Sequence, residues 1–234
     1  MKPAKTYEEQ LEILIKRGLY IDNNKRAVHT LSNVNYYNLT GYLFQFKDSK
    51  GNFSGGVSFE QGLALYNFDR EIHSFLSSIL TEIEQSLKTK LAYSIAMSFP
   101  EEPCIYEQES FFRDKEDHQR FMSEFKKSVR QNKRVDFVKH HINKYDEHFP
   151  IWVAVQLLTL GNIKVLYSNS PARVRKAVSK IYGVSPIIMD SWINCVRILR
   201  NLTAHNMRLY GSTFYIMPKS VNGKVERTNS NQLW

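Results

Sequence analysis

The chain has 234 residues, 42% of them hydrophobic, which is enough to bury a sizeable core, and it carries 32 Lys and Arg against 23 Asp and Glu, a net charge of +9. Its two cysteines, Cys104 and Cys195, are far apart and outside any C-x-x-C pair, so neither a disulfide scaffold nor a zinc ribbon is indicated and both are expected to be reduced thiols. The longest apolar run, Ile151 to Leu160, contains Gln156 and Thr159 and is too short to span a bilayer, and no signal-peptide core opens the sequence; a cytoplasmic protein with no membrane partner is expected.

Thr6 or a neighbour caps a first helix carrying Leu11, Leu14, Ile15 and Leu19, with Glu8 and Glu9 at its positive end. A short helix follows over about Lys25 to Ser32, then an aromatic segment from Tyr36 to Phe46. The turn-forming stretch Lys47 to Asn52 separates Leu43–Phe46 from Phe53, which predicts a small β-hairpin within residues 43–57. Gly55-Gly56 breaks the chain, and Ser58 caps a long helix to about Met97, whose buried stripe is Leu65, Ile72, Leu76, Ile79, Ile83, Leu87, Leu91 and Ile95. Pro100 and Pro103 end it. Further helices are predicted over about Glu107 to Val129, Val135 to Lys144, Ile151 to Tyr167, Ala172 to Tyr182 and Ser185 to Arg200, with Pro171 and Pro186 in first-turn positions. The fold class is therefore all-α. Residues 1–220 read as one domain in which residues 1–57 form a small N-terminal subdomain, and residues 221–234 read as a polar tail.

The charge is unevenly placed. Residues 1–112 hold 11 basic against 14 acidic side chains, whereas residues 113–234 hold 21 against 9. Lys126, Lys127 and Arg130 fall in one basic cluster, Arg173 and Lys176 in another, and such a field concentrates a polyanion. Each lysine taken singly reads as solvated surface; the asymmetry between the halves reads as nucleic-acid binding.

The basic half also contains Arg200-Asn201-Leu202-Thr203-Ala204-His205-Asn206-Met207-Arg208, directly after an amphipathic stretch marked by Ile187, Ile188, Trp192, Val196 and Leu199. An imidazole moves protons near neutral pH and a guanidinium holds an anionic phosphate in the transition state of phosphoryl transfer. An Arg-to-His spacing of this kind is common by chance, and Arg113 to His118 and Arg134 to His140 and His141 are further instances; Arg113 sits in a charged run that reads as solvated surface. His140, His141 and His148 with Asp146 and Glu147 lack the spacing of a helical metal site, so no metal and no other cofactor is expected. Glu82 and Glu84 face different sides of a helix and make a poor acid–base couple, so at least one reads as a partner for a backbone donor or for a basic residue of the motif helix. Tyr36, Tyr37, Tyr42, Phe44 and Phe46 read as core rather than as base-stacking residues.

The string Arg200-Asn201…Ala204-His205-Asn206…Arg208-Leu209-Tyr210 resembles the C-terminal signature of the Abi-like (AbiD/AbiF) abortive-infection proteins of the HEPN superfamily. Tyr36-Tyr37-Asn38-Leu39-Thr40-Gly41-Tyr42, Tyr66-Asn67-Phe68-Asp69-Arg70, Glu82-Ile83-Glu84 and Pro150-Ile151-Trp152-Val153-Ala154 with Gly161 resemble that family in the same order, so the likeness covers about residues 7–218. One departure is Lys88, where the family often has an arginine. The resemblance implies a HEPN-like helical bundle with extra N-terminal helices, a metal-independent endoribonuclease of an anti-phage or toxin–antitoxin system, and relatives restrained by a partner RNA.

On that reading His205 acts as general acid or base, Arg200 stabilises the transition state, and Asn201 orients the phosphate or the imidazole. Asn206, Arg208 and Arg197 support the site or bind RNA alongside Lys126, Lys127, Arg130, Arg173 and Lys176. Arg200 and His205 are about 140° apart on an ideal helix, so either the helix breaks between them, with Thr203 capping the next turn, or two motifs meet across a homodimer. The resemblance implies the dimer, with Trp192 and Ile188 as its candidate apolar contact. The alternative function is a non-catalytic module that binds or senses RNA.

Overall fold

The computed structural model describes residues 3–53 and 55–221 and contains ten α-helices among them, joined by short 3-10 turns. Its chain divides into two compact units, the first comprising residues 1–77 and 202–213, the second residues 78–201 and 214–234. The polar tail expected over residues 221–234 lies outside the described residues except for Val221.

In the first unit, α1 (Tyr7–Lys16) begins at Thr6, whose hydroxyl accepts from the Glu9 amide while the Glu9 carboxylate accepts from the Thr6 amide, a reciprocal capping box. Asn23 caps α2 (Asn24–Asn33) and Asn35 caps α3 (Tyr36–Tyr42), each through its side-chain oxygen. Leu11, Leu14, Leu19, Ala27, Leu31, Leu39, Leu43, Phe53, Val57 and Phe59 form a continuous core. Ile15, expected on the buried face, is exposed. Gly62 on the following helix is required by that packing, because a Cβ there would lie 2.7 Å from Leu43 Cγ.

The hairpin expected within residues 43–57 does not form. Phe44–Phe46 is a 3-10 turn, the pairing is reduced to one antiparallel bridge between Lys47 and Phe53, and the Phe53 amide donates to the Arg17 carbonyl, away from a partner strand. The turn itself is as its sequence demands: Asp48 Oδ1 accepts from the amides of Lys50 and Asn52, and Gly51 takes φ +83°.

Ser58 and Gln61 cap α4 (Phe59–Ser98) reciprocally: the Ser58 hydroxyl accepts from the Gln61 backbone amide, and the Gln61 side-chain oxygen accepts from the Ser58 amide. Residues up to 77 of this 40-residue helix belong to the first unit and the remainder to the second. Along it, Leu87, Leu91 and Ile95 are buried, Leu65, Ile72, Leu76 and Ile83 are half-buried, and Ile79 is exposed.

Two helices of the second unit expected as continuous are divided. The stretch from Glu107 opens as two 3-10 turns that bury Ile105, Tyr106 and Phe111, and α5 (Lys115–Gln131) starts only after Asp114, whose carboxylate caps the Asp117 amide. The apolar stretch from Ile151 splits into α7 (Ile151–Ala154), a 3-10 turn, and α8 (Leu160–Asn169), because Thr159 and Asn162 form a capping box. Between them lies α6 (Asp136–Tyr145); after them come α9 (Ala172–Ile181), preceded by Pro171, and α10, which begins at Pro186 and runs to Ala204. The core of this unit joins Leu87, Leu91 and Ile95 to Phe121, Phe125, Phe149, Ile163, Tyr167, Met189 and Ile193. No helix among the described residues is long and apolar enough to cross a membrane.

Candidate functional site

The Arg-His motif lies at the end of α10. The helix passes Arg200 and Asn201 and stops at Ala204, so the break expected between Arg200 and His205 falls directly before the histidine. Thr203 is not the cap of a following turn; it is a buried residue inside the helix. The ending is a Schellman motif: the Met207 amide donates to the Leu202 carbonyl at 2.9 Å and the Asn206 amide to the Thr203 carbonyl at 3.2 Å. Asn206 takes φ +50°, the left-handed conformation that asparagine tolerates better than other side chains, and that backbone demand accounts for an Asn at this position. His205 is the residue between helix and turn. It is exposed, and its imidazole has no partner among the described residues.

Downstream of the histidine the chain is clamped within the first unit. Asp69 on α4 is 1% exposed and accepts three hydrogen bonds: from the Tyr42 hydroxyl at 2.6 Å and from the amides of Leu209 and Tyr210 at 3.0 and 2.8 Å. His73, one turn further along, donates through Nδ1 to the Thr203 carbonyl at 3.2 Å. The Arg208 guanidinium donates to the Gly41 carbonyl and lies 5.9 Å from the Tyr42 ring centre. Burial and the hydrogen bond to Asp69 push the Tyr42 hydroxyl well above the usual tyrosine range. The Tyr36–Tyr42, Tyr66–Arg70 and Arg208–Tyr210 segments, separate in sequence, thus meet in one hydrogen-bonded cluster. Arg208, expected to support the site or bind RNA, has a structural occupation.

Upstream, Arg200 belongs to the second unit. Its side chain is 46% exposed and its Nε lies 3.5 Å from Glu84 Oε2. Glu84 is 14% exposed and its other oxygen meets the buried Lys88 ammonium at 2.9 Å. The expectation that one of the paired glutamates serves a basic residue of the motif helix is met by Glu84, and Lys88 supplies the second cation. At this distance the contact is an ion pair, and the guanidinium remains half in solvent. Asn201 is exposed, and Arg197 holds Asn194 Oδ1 through both Nε and Nη2. Trp192 Nε1 donates to the Lys219 carbonyl, so the residue expected at a dimer contact is partly engaged by its own chain; Ile188 is half-buried and the adjoining Ile187 is exposed.

The basic residues expected to attract RNA are surface residues of the same unit. Lys126, Lys127 and Arg130 lie exposed along α5, and Arg173 and Lys176 lie exposed on α9, with Arg173 stacked 3.8 Å from the Phe99 ring centre. His141 is buried, stacked on Phe149 and donating through Nδ1 to the Phe137 carbonyl, while His148 pairs with Glu107 at 2.8 Å. Cys104 approaches Glu107 and His148 closely enough to suggest a three-ligand metal group that the sequence reading missed, since its members are spread over 45 residues. One fact weighs against a cation there: Lys126 and Arg130 line the adjoining cleft. Burial, then Glu107, pushes the Cys104 thiol up to about 11.

Residues 29–211 match the Abi-like protein family, so the chain belongs to that family. No curated protein and no solved structure matches it significantly.

Proposed function

We propose that this Abi-like protein is a metal-independent endoribonuclease of an abortive-infection or toxin–antitoxin system, with His205 and Arg200 as its catalytic pair. The observation that carries the reading is the state of His205: an exposed imidazole with no intramolecular partner, presented where α10 ends, while the histidines at 73, 118 and 141 are buried and hydrogen-bonded to backbone carbonyls. RNA supplies its own nucleophile. The 2′-oxygen attacks the adjacent phosphorus, the bond to the 5′-oxygen breaks, and a 2′,3′-cyclic phosphate remains on one product. His205 takes the proton of the 2′-OH as general base or gives one to the departing 5′-oxygen as general acid, with water serving at the other position. Arg200 neutralises the charge on the pentacoordinate phosphate, and Asn201 orients it. The exposed basic faces of α5 and α9 attract the polyanion, whether substrate or an inhibitory partner RNA.

Incubating purified protein with mixed RNAs in EDTA tests this. Cleavage is expected to persist, to leave 2′,3′-cyclic or 3′-phosphate ends, and to fall by about 10²–10⁴-fold in His205→Ala and Arg200→Ala. Products ending in 3′-hydroxyl, or wild-type cleavage by His205→Ala, overturn it. Mixing the two single variants tests the dimer, because a mixed pair retains one intact arginine and one intact histidine and should regain partial activity. A second reading, a module that binds or senses RNA without cutting it, is favoured by one fact: Arg197, Arg200 and Arg208 are all engaged within the chain. RNA binding without any cut product would establish it.

A further inference from the structure

The first unit contains a cleft of about 810 Å³, within the size range of ligand sites, lined by exposed aromatic rings, side-chain amides and an arginine. Tyr37 and Phe44, two of the five aromatics expected in the core, stand on it 81% and 70% exposed, while Tyr42 and Leu43 between them are buried. Keeping two large rings in water forgoes the stabilisation that burying them would give, and flat rings in water are the usual platform for stacking a base. Arg70 also lines the cleft. It is exposed, lies 5.8 Å from the Tyr66 ring centre, and has no carboxylate partner among the ion pairs of the described residues. The carboxylate at the cleft, Asp69, already holds three donors, so it offers little to a cation. The side-chain amides of Asn33, Asn38 and Asn206 supply donors and acceptors of the kind that read a base edge.

We propose that this cleft binds one unpaired nucleotide of a single-stranded RNA, its base stacked on Tyr37 or Phe44 and its phosphate held by Arg70. A ring system carrying a negative charge fits two exposed aromatics and an unneutralised guanidinium, and neither an apolar ligand nor a divalent cation uses both. The proposal rests on the RNA reading above and extends it, because a nucleotide captured here fixes which part of a strand is held by the protein independently of the residues that cut. Asn206 and Arg208 line the same cleft, so the turn that presents His205 also borders the bound nucleotide.

The experiment is ultraviolet crosslinking of the full-length protein to a single-stranded RNA substituted with 4-thiouridine, with peptide mapping by mass spectrometry, beside fluorescence-anisotropy titrations of Tyr37→Ala/Phe44→Ala, Tyr37→Phe and Arg70→Ala. Crosslinks are expected at Tyr37 or Phe44. The double variant should bind about tenfold more weakly with its salt dependence unchanged, Tyr37→Phe should bind as wild type, and Arg70→Ala should lower the salt slope by about one. All three positions are exposed, so unchanged thermal melting separates lost binding from lost folding. Crosslinks confined to residues 113–200, or wild-type binding by the double variant, overturn the proposal even if RNA is still cut. Crosslinks at Tyr37 or Phe44 without any cut product sustain it and overturn the nuclease reading instead.

Discussion

Two carboxylates on α4 treat the halves of the Arg-His motif differently. Asp69 is sealed from solvent and saturated by one hydroxyl and two backbone amides, so it fixes main chain. Glu84 is nearly buried too, but it answers two cations, and one of these, Arg200, keeps its guanidinium half in solvent. A carboxylate that satisfies amides sets the path of a loop; one that pairs with a half-exposed cation sets the aim of a side chain. The first arrangement is expected to matter for folding, the second for chemistry as well.

The sharpest way to break that contrast is Asp69→Ala. It strands three buried donors at once and is expected to destabilise the first unit by roughly 3–5 kcal/mol, seen as a lowered melting temperature; a loss of less than ~1 kcal/mol would show that water replaces the carboxylate. Asp69→Asn, which keeps one acceptor, should fall between the two. Next in size, Glu84→Gln leaves the buried Lys88 uncompensated and is expected to cost about 3 kcal/mol. The double variant Glu84→Leu/Lys88→Leu should regain most of that stability, because a buried pair can be replaced by apolar packing, yet it should not regain cleavage, since Arg200 has lost its holder. Recovery of both would reduce Glu84 to a structural group.

Smaller effects sharpen the comparison. At the helix end, Asn206→Gly should be neutral to within about 0.5 kcal/mol, whereas Asn206→Val, forced to φ +50°, should cost about 1–2 kcal/mol in thermal melting. The smallest effect is a pH dependence. The Cys104 thiol is held up to about 11 from an ordinary 9.0, chiefly by burial, so the unfolded chain releases that proton first as pH rises. Its contribution to stability is therefore complete below about pH 9 and fades up to about pH 11. Cys104→Ser should flatten that limb of a denaturation-versus-pH curve, and alkylation of Cys104 at pH 8 should run well below the rate of an unfolded control.

How far the sequence carried the fold depended on where the chain announces its ends. Thr6 with Glu9, and Ser58 with Gln61, are strong capping pairs and marked their helices correctly. Asp114 with Asp117 and Thr159 with Asn162 cap just as well in the structure, but no Pro stands beside them and the apolar residues recur on either side, so two continuous helices were expected where six shorter pieces exist. That Glu82 or Glu84 would answer a backbone donor or a basic residue of the motif helix was legible; that the pair is Glu84 with Arg200 was not. The exposure of Tyr37 and Phe44 was not legible either, since an aromatic-rich segment reads as core until the packing of Tyr42 and Leu43 shows which rings are left outside. The Asp69 cluster was invisible for another reason: two of its three donors are backbone amides, which every residue has.

That cluster also dictates an order of events. Tyr42 lies 27 residues from Asp69, but the two amides lie 140 and 141 residues away, past residues 78–201 of the second unit. The first unit cannot close until that late segment has been made and has come back to it, a loop closure that costs entropy and slows folding. During synthesis the early helices must therefore wait with a carboxylate unanswered. Since His205 and Asn206 arrive on the same returning segment, a nascent chain that stops before Leu209 has no finished first unit, and one that stops before His205 lacks the histidine as well.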